Sequence, residues 1–353
     1  MKTLVKIIVT VVGIVLGGRA AKAQDIHFSQ IYNAALHINP ALTGNFDGNL
    51  RVNLNWKDQW RSIGKAFQTY AASFDQNVMK TRVGKAYFAY GLSFYQDIAG
   101  EVKLGTTRVM ASLAAYIWAG KKGRISLGLQ AGYGRVGVDP TAMRWGNQYD
   151  GLQYNPNLPS GETNQFDPFS FADVNAGIVY WYTDAGKRTT YDNTKDWKIG
   201  FSVHHLNRPR NAYYSDEKLP MKFVAHFNGY FGIKNSTWGI WPSASFLYQN
   251  PHWEVMAGIL FRTMINGKAR VTGFKKEMAI SFGGHFRVSS PFDAFIPEVF
   301  FEVSGFGVGV TYDVNISELA SATNLNGGVE ISLRYILDDK YYYQRPTRRV
   351  PSF

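Results

Sequence analysis

RISLGLQAGYGRVGV, residues Arg124 to Val138, is the stretch whose reading decides the fold. Ile125, Leu127, Leu129, Ala131 and Tyr133 alternate with Ser126, Gly128, Gln130 and Gly132. Successive side chains of a strand point to opposite faces, so one face of this strand is apolar and the other small or polar. An antiparallel sheet over a soluble core alternates in the same way, and alternation alone does not separate a sandwich from a transmembrane barrel. Length does. Sandwich strands are usually about 5 to 6 residues long, whereas a tilted strand needs roughly 9 to 11 to cross a bilayer. The run Arg124 to Val138 exceeds that, and so does Lys103 to Trp118.

Working outward, the same period of two recurs in Trp197, Ile199, Phe201 and Val203, in Trp253 to Phe261, in Met278 to Phe286 and in Val329 to Tyr335. Fourteen strands are predicted, at 50–57, 66–75, 86–96, 104–118, 124–138, 172–183, 196–205, 221–232, 237–249, 253–264, 277–288, 295–303, 306–314 and 327–336. The expected fold is all-β, a closed antiparallel transmembrane β-barrel of about 14 strands. An even count puts both termini at one mouth, read as periplasmic. The long connections Asp139 to Phe171 and 207–220 then face outward, and the tight turns at Asn235 and Ser304-Gly305 face the periplasm. Long outer loops over short periplasmic turns are the usual barrel asymmetry. The 265–276 connection is long for that side.

Composition agrees. Charged residues make up 18% and aromatics 15%, where a typical soluble domain carries about 25% charge. A basic start at Lys2 and Lys6, an apolar run from Ile7 to Leu16 and Ala21-Lys22-Ala23 predict a signal peptide over 1–23. That run falls short of the ~20 apolar residues a membrane-spanning helix needs. Cleavage after Ala23 would remove Lys2, Lys6, Arg19 and Lys22 and lower the formal charge of +12 by four. With no cysteine, neither a disulfide framework nor an acylated cysteine anchor is available. The expected division is a signal peptide at 1–23, an N-terminal segment at 24–49, a barrel at 50–337 and a basic periplasmic tail at 338–353.

Chemistry-bearing motifs are sparse. HExxH, GxSxG and Walker patterns are absent, and no catalytic residue, cofactor, metal site or nucleic-acid partner is expected. His204, His226 and His285, with Ser202 and Ser281, fall on inward faces by parity and read as hydrogen-bonding residues of the lumen. Asp139, Asp150, Asp167 and Asp173 match no EF-type calcium spacing. The segment before the first strand holds Ile26, Phe28, Ile31, Tyr32, Leu36 and Ile38, too apolar for a solvated leader. It is expected to tuck into the barrel as a plug instead of hanging in the periplasm. Aromatic residues near strand ends imply contact with outer-membrane lipid.

Both ends of the chain resemble one family. QDIHFSQ (Gln24 to Gln30), INPALTG (Ile38 to Gly44), Trp56-Lys57-Asp58-Gln59-Trp60-Arg61 and YDVNISELASATNLNGGVEISLRY (Tyr312 to Tyr335) are similar to the PorP/SprF family of type IX secretion and gliding-motility membrane proteins. The resemblance implies a Bacteroidota outer-membrane barrel that supports export or surface anchoring of a secreted adhesin with a type IX sorting C-terminal domain. It also implies contact with periplasmic secretion or motility components. A diffusion channel or hydrophobic-solute transporter on the same fold is the competing reading. Two partner-binding surfaces are expected. One is the outer loop, through Trp145, Tyr149, Tyr154, Phe166 and Phe169. The other is the basic periplasmic face, through Lys80, Arg82, Lys85, Lys121, Lys122, Lys187, Arg188, Lys275, Lys276, Arg345, Arg348 and Arg349.

Overall fold

The computed structural model describes residues 25–62, 64–78, 86–162, 166–184, 193–211, 216–266, 278–289, 292–316, 323 and 325–337. Fourteen strands run in chain order. They are β1 (Leu50–Gln59), β2 (Phe67–Val78), β3 (Ala86–Ala99), β4 (Leu104–Ala119), β5 (Gly123–Gly137), β6 (Phe169–Asp184) and β7 (Lys195–His204). Then follow β8 (Lys222–Gly232), β9 (Trp238–Gln249), β10 (His252–Asn266), β11 (Met278–Val288), β12 (Phe292–Val303), β13 (Phe306–Asn315) and β14 (Asn326–Leu337). Each pairs antiparallel with its sequence neighbours, and β1 closes on β14 from Leu50 opposite Leu337 to Gln59 opposite Gly328. Closure leaves no open edge, the condition for a sheet to stand in hydrocarbon.

The predicted strands are all present, with one instructive displacement. β6 begins at Phe169, so Phe169 and Phe171 belong to the wall and not to the long loop. Phe169 pairs with Val136 and Phe171 with Gly134. A Cβ on Gly134 would lie 2.5 Å from the Phe171 ring; the bare glycine lets that ring lie flat against β5 and extends the ladder. Likewise β10 runs on to Asn266, and the connection beyond it lies outside the described residues.

Burial in the wall is inverted relative to a soluble sheet. Leu113, Leu127, Leu129, Ile199, Phe201, Phe282 and Val299 are exposed on the outside, with Leu129 at 64%. Ser126, Gln130, Asn175, Ser202, Ser243 and Ser332 are buried on the inside. Such a surface is stable only where lipid covers it. Near the barrel rims tyrosines turn polar ends to neighbours: Tyr90 donates to Gln76 and Tyr312 to Asn326, each at 2.5 Å. These fit interfacial girdles.

The two mouths differ. At the mouth where β1 starts and β14 ends, the terminal-strand mouth, β12 turns into β13 through Ser304 and Gly305, both at positive φ (48° and 93°). That backbone suits a two-residue hairpin. The opposite mouth carries the long connections 138–168 and 205–221.

Leu129 sits mid-strand in the lipid-facing belt, so Leu129→Arg should cost about 2–4 kcal/mol of folding stability. Urea unfolding in lipid vesicles measures this, with Arg135→Lys near the rim as a control expected to stay near wild type.

Candidate functional site

The lumen is not empty. Residues 25–49 run through it, from Asp25 beside Arg108 at the long-loop mouth to Asn49, whose N–H donates to the Leu337 carbonyl at the terminal-strand mouth. Its only α-helix, α1, covers Ala35–Ile38. A 3₁₀ turn follows at Pro40–Leu42, where the Asn39 side chain accepts from the Ala41 N–H. Most of the backbone here has no ladder of its own, and buried peptide groups must find partners.

Inward side chains of the wall supply them. Ser202 Oγ donates to the Ile38 carbonyl (2.7 Å), Ser126 Oγ to Ala41 (2.8 Å) and Tyr116 OH to Thr43 (2.6 Å). Cations do the same: Lys198 Nζ donates to Asn45 (2.9 Å), Lys57 to His27 (3.1 Å) and Arg51 to Leu42 (3.1 Å). Carboxylates accept the segment's N–H groups, Glu330 from Ser29 (2.7 Å) and Gln30 (3.1 Å), and Asp75 from Gly44 (2.7 Å). Asn39 Nδ2 donates to the Ile178 and Phe201 carbonyls, both at 3.2 Å, and lies 3.1 Å from His226 Nε2. Two glycines make this approach feasible. A Cβ on Gly128 would fall 2.3 Å from Pro40 and Ala41 backbone atoms, and one on Gly177 2.0 Å from Asn39 Oδ1.

Apolar contacts complete the seat. Ile31, Tyr32 and Ile38 join Trp241, Leu260 and Phe300 in one buried cluster, with the Tyr32 and Trp241 rings 4.6 Å apart. Phe28 packs with Tyr95 and Ala71, and Ile26 lies partly buried against that group. Ion pairs tie wall strands together: Arg51 to Asp75 (2.7 Å), Arg262 and Arg334 to a shared Glu302 (2.7 and 2.8 Å), and Arg287 to Asp293 and Asp313 (2.5 and 2.8 Å).

The inward histidines and serines make hydrogen-bond contacts with the enclosed segment and with one another. His204 Nε2 lies 3.0 Å from the Ile38 carbonyl and 3.3 Å from Ser202 Oγ. His285 reaches Ser243 on β9, 2.7 Å away, and not Ser281. Its Nδ1 stands 3.4 Å from Glu298, so Ser243, His285 and Glu298 fall in the order of a nucleophile relay. All three are buried in the wall. Ser202 already donates its hydroxyl proton to a segment carbonyl. Among the described residues no cluster of His, Asp or Glu suits a metal ion. The four aspartates are apart: Asp173 faces Arg108 in the lumen, Asp139 caps a 3₁₀ turn, Asp150 caps a loop tip and Asp167 is exposed.

The long loop folds on itself. Gln148 is its hub: its Oε1 accepts from the Trp145 N–H and the Tyr154 hydroxyl, and its Nε2 donates to Leu158. The Trp145 and Phe166 rings stack at 6.1 Å, and the Arg144 guanidinium lies 5.2 Å from the Tyr154 ring centre. Tyr149 bridges to Tyr154, closing a small hairpin whose tip is held by Asp150 Oδ1, acceptor from the Leu152 and Gln153 N–H groups. Tyr149 is exposed, and Leu152, absent from the expected set of loop residues, is 92% exposed at the apex. Its signal is the Asp150-Gly151 pair between tyrosines, a hairpin turn dipeptide. Of the expected loop aromatics, Trp145 and Phe166 come together, Tyr149 and Tyr154 pair, and Phe169 stands in β6.

Of the expected basic face, Lys121 and Lys122 lie in the turn between β4 and β5, with Lys122 Nζ 2.6 Å from Asp184. Lys80, Arg82, Lys85, Lys187, Arg188, Lys275, Lys276, Arg345, Arg348 and Arg349 lie outside the described residues, as do the expected signal peptide and tail.

A closed barrel with a lipid-facing apolar surface and a polar, filled interior is an integral membrane protein of the outer-membrane class. The chain belongs to the PorP/SprF family of type IX secretion system membrane proteins, whose family model matches residues 20–335. Its fold is similar to that of CdiB from Acinetobacter baumannii, at 6% identity and TM-score 0.40, covering 81% of this chain and 60% of that one. It is also similar to BamA from Haemophilus ducreyi lacking POTRA domains 1–3, at 10% identity and TM-score 0.38, covering 82% and 70%. The chain thus spans less than two thirds of the CdiB chain. No curated protein matches it. It is an outer-membrane barrel of the type IX secretion system, in a family of membrane barrels and not of enzymes.

Two predictions follow from these contacts. Gly128→Leu should unseat the 3₁₀ turn and destabilise the barrel by at least about 1–3 kcal/mol, read as lowered urea resistance and new protease cleavage within 25–49. The second concerns pH. The Asp139 carboxyl is held down to about 2 by the Thr141 hydroxyl and by Lys103, 3.0 Å away. A depressed carboxyl stabilises the folded form fully above its unfolded value of about 4, and the effect is lost as pH falls through 2. Side-chain NMR of Asp139 should therefore show a midpoint near 2.

Proposed function

We propose that this barrel supports export or surface anchoring of a cognate adhesin bearing a type IX sorting C-terminal domain, and that its opposite mouth contacts periplasmic secretion or motility components. The observation that carries this reading is the long loop, folded around Gln148 so that Tyr149 and Leu152 project from the long-loop mouth. A preorganised protrusion with exposed aromatic and aliphatic side chains offers anchors whose ordering cost is already met. In this reading the terminal-strand mouth faces the periplasm, residues 1–23 are a cleaved signal peptide, and the basic turn at Lys121 and Lys122 belongs to the docking face together with the basic residues named from sequence. Clustered positive charge steers an acidic partner in a salt-dependent way.

Residues 25–49 act as the plug in this proposal. Their contacts with the wall favour a closed anchor over a diffusion channel or solute transporter. The test is a gentle-detergent pull-down with mass spectrometry. The full-length barrel should retain a large adhesin fragment, and a protein lacking 140–166 should lose it while still migrating as a folded, heat-modifiable barrel. Retention unchanged by the deletion would refute the role of the loop. Planar-bilayer recordings check the plug: wild type should not conduct, and removal of 25–49 should open a pore. Steady conductance from the intact protein would favour the channel reading.

A further inference from the structure

At the long-loop mouth, charge is divided unequally between wall and segment. The wall contributes Arg108 on β4, His205 just after β7 and Lys222 at the start of β8, all nearly or fully buried. The segment contributes the Asp25 carboxylate, whose oxygens lie 3.0 Å from Arg108, 3.2 Å from His205 Nε2 and 3.7 Å from Lys222. The Tyr95 hydroxyl donates to the same carboxylate at 3.4 Å, and the Asp25 N–H donates to Gln249. Asp173 of β6 also meets Arg108 (3.3 Å) and His205 (2.9 Å). Asp173 thus meets Arg108 and His205, buried Glu254 lines the same cavity as Lys222, and Asp25 is the carboxylate that contacts all three wall groups.

These two carboxylates differ in attachment. Asp173 is fixed in β6 opposite Gly132. Asp25 lies outside the strand ladder, held by its carboxylate contacts and by the bond from its N–H to Gln249. Exchange of Asp25 for another carboxylate would therefore leave the strand ladder intact, whereas Asp173 is part of it. A cavity lined by Asp25, His27, Lys222, Gln249, Trp253 and Glu254 lies directly beside the Asp25 carboxylate. Removing one partner of a buried ion pair leaves the other uncompensated and is strongly unfavourable, so the vacated position would draw in a carboxylate through charge-assisted hydrogen bonds.

We infer that Arg108, His205 and Lys222 form a binding site for a peptide carboxylate at the long-loop mouth, filled in this structure by the chain's own Asp25. The inference stands apart from the adhesin reading, since it rests on the charged cluster and cavity at this mouth and not on the long loop. The ligand chemistry is that of an Asp or Glu side chain or a chain-terminal carboxylate.

Chemical rescue tests it in the full-length protein. Asp25→Ala should lower the melting midpoint of the detergent-solubilised barrel by roughly 5–10 °C. Acetate, compared with chloride at equal ionic strength, should restore at least half of that loss in a saturable way, with no effect on wild type. N-acetylglycine and N-acetylaspartic acid N-methylamide then separate a chain-terminal from a side-chain carboxylate. Asp25→Asn keeps the side-chain shape and occupies the site; it should lose stability and show no acetate rescue. An Asp25→Ala protein that folds only in acetate also supports the site. An Asp25→Ala protein that responds equally to acetate and chloride, folded or not, or an Asp25→Asn protein with the wild-type midpoint, overturns it.

Discussion

Hydrogen bonding between the barrel wall and residues 25–49 is the constraint on which the rest of the structure depends. A segment with one four-residue helix and a 3₁₀ turn cannot satisfy its own peptide groups, and a buried unpaired amide costs about 1–3 kcal/mol. Enclosure is tolerable because Ser126, Tyr116, Ser202, Lys198 and Glu330 are aimed at those groups from different strands. The dependence is mutual. Without the segment, the same hydroxyls, ammonium groups and carboxylates would face an open lumen.

Charge inside the barrel follows the same logic. Arg51, Arg262, Arg287 and Arg334 are buried, and each meets a carboxylate on another strand. Buried pairs add little net stability over apolar packing but are costly to break singly. Their effect is on register: Arg262 of β10 and Arg334 of β14 reach Glu302 across the intervening β11 and β13, and a slip of β12 by one residue would turn Glu302 outward and leave both arginines unpaired by it.

Function divides between surfaces built by different physics. The lumen is specified by polar satisfaction: Ser202 and His204 meet the Ile38 carbonyl of the enclosed segment, and His285 meets Ser243 within the wall. The long loop is specified by its own contacts around Gln148 and presents side chains that the wall does not need. Membership of the PorP/SprF family places the molecule among type IX secretion system membrane proteins.

Period-two alternation is a local property of the chain, so the strands, their number and the lipid-facing set Ile125, Leu127, Leu129 were legible without a structure. The apolar content of the stretch also fits its burial: Phe28, Ile31 and Tyr32 are buried and Ile26 partly so. The loop boundary was misplaced because Phe169 and Phe171 look like loop aromatics until Gly134, far away in sequence, is seen to receive the Phe171 ring. Leu152 carried an Asp-Gly turn signal, but its exposure depends on how Gln148 folds the whole loop. The path of residues 25–49 from one mouth to the other, the reach of His285 past Gly258 to Ser243, and the meeting of Asp25 with Arg108, His205 and Lys222 were decided by the tertiary structure alone. The physical reason is range: alternation is set by neighbours two residues apart, whereas these contacts join residues brought together only when the sheet closes with one register and one set of inward faces.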